Sequence, residues 1–150
     1  MSGEERAQIA LGYFNQGFNC AQSVFAAFHQ EMGLSESEAL RIASSMGGGI
    51  GGLREVCGAF SGLSLALGAL KGYDSPTDQE AKKAHYALIQ QQAAAFTQTY
   101  GTLICRDLLA SHDIAVSPIP AARDAAYYKA RPCARYIETC AILAQEALNA

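Results

Sequence analysis

Five cysteines, Cys20, Cys57, Cys105, Cys133 and Cys140, are the residues of this sequence best suited to chemistry. A thiolate is a nucleophile and a soft metal ligand, and two of them together form a two-electron redox couple. None stands in a C-x-x-C pair, which excludes a thioredoxin-like motif and a zinc ribbon, and no C-x-x-C-H offers covalent haem attachment. Their positions are more informative. Cys20 follows the good N-cap Asn19, and Cys57 falls about one turn into the helix expected after a glycine loop. Cys105 lies three residues after the candidate cap Thr102, and Cys133 follows Pro132. A helix start carries partial positive charge and free N–H groups, which favour thiolate over thiol. Arg54, Arg106 and Arg131, each within three residues of one of these cysteines, add to that effect.

Gathered at one end of a bundle, Cys20, Cys57, Cys105 and Cys133 make one site. It suits an iron–sulfur cluster or a zinc ion, with all four as ligands, or a redox dithiol. As a thiol catalyst, Cys57 is the first choice of nucleophile, because it pairs a helix start with Arg54. Cys140 is two turns beyond Cys133 on one helix face, roughly 10 Å away and too far for a shared disulfide or ion, so it is expected in the core. A buried free cysteine is commonly a small hydrophobe. The bland alternative is therefore a non-enzymatic helical interaction or structural module.

The elements that must position these thiols are helical. Ser2-x-x-Glu5, Ser35-x-x-Glu38 and Thr77-x-x-Glu80 have the form of capping boxes. The first helix carries Ile9, Ala10, Tyr13 and Phe14 and ends at Gly17. Asn19 opens a second, with Val24, Phe25, Phe28 and Met32 on its apolar side and Gly33 as its stop. A third follows Ser35. The run Gly47-Gly48-Gly49-Ile50-Gly51-Gly52 is too glycine-rich for a helix interior. It leads into an apolar helix expected over about Leu53 to Leu70, whose Gly58-x-x-x-Gly62 lets another backbone approach. A long helix from Thr77 stops at Gly101, a short one runs from Thr102 through Leu109, and the proline-bearing stretch Ser111–Pro120 is a loop. A brief helix near Arg123 to Lys129 precedes the last, from Pro132 to about Leu148. The expectation is all-α: one domain over residues 1–150, a bundle of about five long helices and one or two short ones.

Composition narrows the class. Half of the 150 residues are hydrophobic, enough for a core without disulfide staples. The net charge of -3 and scattered basic residues argue against nucleic acid as partner. The uncharged stretch Val56–Leu70 is shorter than the roughly 20 residues a membrane span needs. The acidic N-terminus lacks a basic segment followed by an apolar one, so a cytoplasmic location is expected. An odd count of cysteines there is not a stapling framework. Gly47-x-Gly49-x-x-Gly52 matches the dinucleotide-binding pattern literally, but no strand precedes it. The run reads as a tight turn whose N–H groups could meet an anion or cluster sulfurs. His29, His85, Tyr127, Tyr128 and Tyr136 read as packing or surface residues. Glu55 reads as a first-turn acid and His112 as a loop residue near Cys105.

Taken in order, Gly17-Phe18-Asn19-Cys20-Ala21-Gln22-Ser23-Val24, the glycine loop, Cys57-Gly58-Ala59-Phe60-Ser61-Gly62, Cys105-Arg106-Asp107-Leu108 and Arg131-Pro132-Cys133 resemble the C_GCAxxG_C_C family of redox-active proteins. The resemblance spans nearly the whole chain. It implies a small helical protein with a redox role and assigns the family cysteines to Cys20, Cys57, Cys105 and Cys133. Related domains occur fused to cytochrome-type modules and can hold iron–sulfur clusters; with no haem-binding part here, only the cluster carries over. A redox partner protein and a homodimer are the expected partners.

Overall fold

The structure, a computed structural model, describes residues 1–150. It is all-α. The helices are α1 (Gly3–Asn15), α2 (Cys20–Ala26), α3 (Glu36–Ala43), α4 (Gly47–Ile50), α5 (Gly58–Lys71), α6 (Gln79–Tyr100), α7 (Cys105–Ala110), α8 (Ala125–Ala130) and α9 (Cys133–Asn149). Six of them have seven residues or more, against the five long helices expected. There is no strand, only one isolated antiparallel bridge between Val56 and Ile104.

Local signals account for most helix starts. Ser2 with Glu5, Asn19 with Gln22, and Ser35 with Glu38 each close a full capping box. Asp78, not Thr77, caps α6 by accepting from the Ala81 N–H. Gly101, at φ 85°, turns the chain off that helix as expected. Two expected helices are shorter. α2 stops at Ala26, and Phe28 to Met32 lie in successive turns that still bury Phe28. The segment Leu53–Val56 is not helical; α5 begins only at Gly58.

α1, α2, α5 and α9 surround one core of 26 buried residues. Gly58 and Gly62 seat α5 on α2: a Cβ on Gly62 would meet the Ala21 carbonyl oxygen at 2.7 Å, and one on Gly58 would meet the Ala21 nitrogen at 3.3 Å. Arg6 of α1 crosses the core, with Nε donating to Gln145 of α9 at 2.8 Å, Nη1 to the Ala27 carbonyl, and a 2.8 Å ion pair to Glu31. Its guanidinium lies over the Phe28 ring at 4.3 Å. Three polar partners and an aromatic face satisfy a buried charge that would otherwise be costly.

The glycine run forms a left-handed turn. Gly48, Gly49, Ile50 and Gly51 have φ of 64°, 66°, 68° and 55°. L-residues with a Cβ pay roughly 1–2 kcal/mol each for that conformation, which explains the glycine density. The turn closes through Arg54 N–H to the Gly48 carbonyl (3.0 Å) and Glu55 N–H to the Gly49 carbonyl (2.9 Å).

Candidate thiol site

Three helix starts and one helix cap deliver the thiols. Cys20 is the first residue of α2, Cys105 of α7 and Cys133 of α9, while Cys57 is the N-cap of α5. The Asn19 side chain fixes the first by bonding the Gln22 N–H at 2.9 Å and the Ser44 carbonyl at 3.1 Å. The second and third are tied together. The Cys57 N–H donates to the Leu103 carbonyl (2.7 Å), Cys105 N–H to the Glu55 carbonyl (2.6 Å), and Arg106 N–H to the Arg54 carbonyl (3.1 Å). This backbone pairing takes the place of the helical turn expected at Leu53–Val56. It sets Cys57 and Cys105 on neighbouring segments.

All four cysteines line one cavity of about 490 Å³. Cys140 does not: it lies fully buried in the α9 core, as expected of it. The walls also include the glycine turn, Arg54, Arg123, Arg131, Tyr127 and Tyr136, and no Asp or Glu. Sequence reading placed Arg54 and Arg131 near cysteines. It missed Arg123, which reaches the cavity from the chain between α7 and α8 with no spacing signal to reveal it. Tyr127 and Tyr136, read as packing residues, do pack, and they line the cavity as well. Arg106, expected to support Cys105, instead makes an exposed 2.6 Å ion pair with Glu55 and does not line the cavity. His112 does not line it either, and His29 faces the Leu34 carbonyl at 3.0 Å.

The thiols are electrostatically unequal. Cys133 is held down to about 7, first by the hydrogen bond that Cys20 donates to it and then by the charges of Arg131, Arg123 and Arg54, against the opposing effect of burial. Cys20 is raised well above the ordinary thiol range by that same bond and by burial. Burial pushes Cys57 up to about 12, although the Phe60 and Ala59 N–H groups pull the other way. No cap hydrogen bond of ordinary geometry forms there. Cys105 is raised by burial, and the Arg54 guanidinium, 3.8 Å from its sulfur, opposes this. Tyr136 is pushed up to about 12, chiefly by burial.

An iron–sulfur cluster or zinc ion needs several ligands converging at once. The four thiols share a cavity, yet no three Cys, His, Asp or Glu side chains gather closely enough to hold a metal ion. All five cysteines are free thiols. In this arrangement the residues do not fit a metal centre.

Residues 18–147 match the family model described as "Putative redox-active protein (C_GCAxxG_C_C)". The chain belongs to the C_GCAxxG_C_C family. The matched region holds every cysteine, the glycine turn and all three cavity arginines, so all of the cavity lining except Gly17 lies within the C_GCAxxG_C_C region. No curated protein and no solved structure matches the chain. No helix is long and apolar enough to cross a membrane.

Proposed function

We propose that this member of a redox-active family is a thiol–disulfide electron-transfer protein whose working couple is Cys20 and Cys133. The observation that carries the reading is that these two thiols, at the first residues of α2 and α9, line one cavity with three arginines, where Cys20 and the arginine charges hold Cys133 down to about 7. Cys133 replaces Cys57 as the favoured nucleophile, because burial keeps Cys57 protonated while three arginines and Cys20 stabilise the Cys133 thiolate.

The step balances with a disulfide as oxidant. The Cys133 thiolate attacks one sulfur of that disulfide, the old S–S bond breaks, and one thiolate leaves. The chief cause of the raised Cys20 pKa, the Cys133 thiolate, is thereby gone. Cys20 then loses its proton to the departed thiolate and attacks Cys133 Sγ, expelling the second. The protein dithiol becomes a disulfide, and the oxidant becomes one thiol and one thiolate. Cys57 and Cys105 line the same cavity and complete the four-thiol site. A reducing compartment such as the cytoplasm, with a partner protein that returns the electrons, is the proposed setting.

The test is a redox titration of protein purified without oxygen, with free thiols mass-tagged at each potential and the absorption spectrum and metal content recorded. Two tags lost together, mapped to Cys20 and Cys133 and abolished by Cys133→Ser, support the reading. Stoichiometric iron or zinc, with sulfur-to-iron bands where the metal is iron, overturns it in favour of the metal centre. Thiols that stay free at every potential overturn it in favour of a structural module.

A further inference from the structure

The cavity walls carry Arg54, Arg123 and Arg131 and no carboxylate. Their charges all reach Cys133. Three guanidinium groups around one partly enclosed space repel one another unless negative charge lies among them. One thiolate balances only part of that charge. The fold goes to some length to hold them there. Arg54 sits at φ 59°, a left-handed conformation that L-residues rarely adopt. Its Nε donates to the Ser117 carbonyl at 3.0 Å, leaving Nη1 beside Cys105 at 3.8 Å. Arg123 stacks over Tyr127 at 4.5 Å and Phe14 at 5.0 Å, and its Nη2 donates to the Phe18 carbonyl at 3.2 Å. Its Nη1 is shielded from solvent and has no hydrogen-bond partner. A buried guanidinium N–H without an acceptor is rare and costly. Arg131 lies over the same Tyr127 ring, 4.9 Å from its centroid.

We propose that this cavity binds a small organic anion, through a carboxylate or phosphoryl group held among Arg54, Arg123 and Arg131 beside the Cys20–Cys133 pair. Arginine is suited to such groups, since its planar fork matches their oxygens. A volume of about 490 Å³ falls in the range of small-molecule pockets. The glycine turn forms part of the cavity wall beside Arg54: a Cβ on Gly48 would be in van der Waals contact with that guanidinium, at 3.6 Å. The inference rests on the thiol-couple reading only in assigning this anion as the molecule the couple acts on; the binding itself does not require it.

Two alkylating reagents of similar size separate the cases. Iodoacetate is anionic and iodoacetamide neutral, and both consume the same Cys133 thiolate, so their rate ratio cancels any change in its pKa. We expect iodoacetate to react faster, with a rate that saturates, and Arg131→Gln or Arg123→Gln to lower the ratio by about tenfold or more. A faster iodoacetamide reaction, unsaturated and with the same ratio in both variants, overturns the anion site and leaves the couple standing. If Cys133 is inert to both reagents, the couple fails, and calorimetric titration decides the anion site independently. Binding of citrate or of tripolyphosphate at constant ionic strength, lost in Arg131→Gln, supports it and tells carboxylate from phosphoryl preference. Binding of neither overturns it.

Discussion

The thiols of Cys20 and Cys133 line one cavity, one at the first residue of α2 and the other at the first residue of α9, and each shifts the other's ionisation, Cys133 down and Cys20 up. Burial opposes the charge on both thiols. Cys20 favours it on Cys133, and Arg131, Arg123 and Arg54 add to that asymmetry.

The pH profile of alkylation reports that asymmetry. In the wild type, carbamidomethylation of Cys133, followed by peptide mass, rises with pH around a midpoint near 7. Cys20→Ala removes the donor and moves the profile to higher pH, lowering the rate at pH 7 by about tenfold, since a hydrogen bond to a charged group is worth about 1.5–3 kcal/mol. An unchanged midpoint in Cys20→Ala would mean that the arginines alone set it.

Alkaline pH destabilises the fold through the other thiols. Cys57 is pushed up to about 12 and Cys140 is raised by burial, so both stay protonated in the native state after the unfolded chain has begun to ionise. A raised acid contributes stability that is full below the unfolded pKa, about 8.5, and is lost as pH rises towards the folded value. Each such thiol costs up to about 1.4 kcal/mol per pH unit in that window. Cys133 has the opposite sign: its contribution is present above about 8.5 and fades as pH falls through about 7. Urea midpoints from pH 8 to 10 should therefore fall in the wild type and fall less steeply in Cys140→Ala, whose lower starting stability does not alter the slope.

The glycines of α5 separate packing from propensity. Gly62→Ala places a Cβ 2.7 Å from the Ala21 carbonyl oxygen and should cost about 1–3 kcal/mol in chemical unfolding. Gly68→Ala meets nothing within 4 Å on the exposed side of the same helix and should stabilise by about 0.4–1 kcal/mol. Equal effects at both sites would show that helix propensity, not the approach of α2, decides.

Much of this site could be read where a local signal fixes a backbone state. Asn19 caps α2 through its own side chain, and the ring of Pro132 suits a helix start, so the placement of Cys20 and Cys133 follows from neighbouring residues. Cys57 and Cys105 are different. The apolar stretch from Leu53 looks helical, but its first residues are claimed by hydrogen bonds to Leu103–Arg106, a long-range pairing with no local signature. Arg123 escapes for the same reason, since its partners, Phe14, Phe18 and Tyr127, lie mostly at the other end of the chain. Of the two glycine motifs, Gly58-x-x-x-Gly62 serves close packing as read, and the glycine run needs its composition for a left-handed turn.

Arg54 joins these parts, and its loss should be visible in two places at once. Its guanidinium donates to the Ser117 carbonyl and faces the Cys105 sulfur, so it pins the loop before α8 and stabilises one thiolate. Arg54→Asn is the appropriate variant, because asparagine tolerates the φ of 59° at that position and leaves the turn intact. Amide hydrogen exchange should quicken across residues 114–122, while α1 and α9 keep their protection. The alkylation profile of Cys105 should move to higher pH, since burial would then act with less opposition. A shift of the Cys105 profile without faster exchange would mean that the loop is held by other contacts, such as the approach of the Pro118 carbonyl to Gly52. Faster exchange without a shift would mean that Arg131 suffices for Cys105.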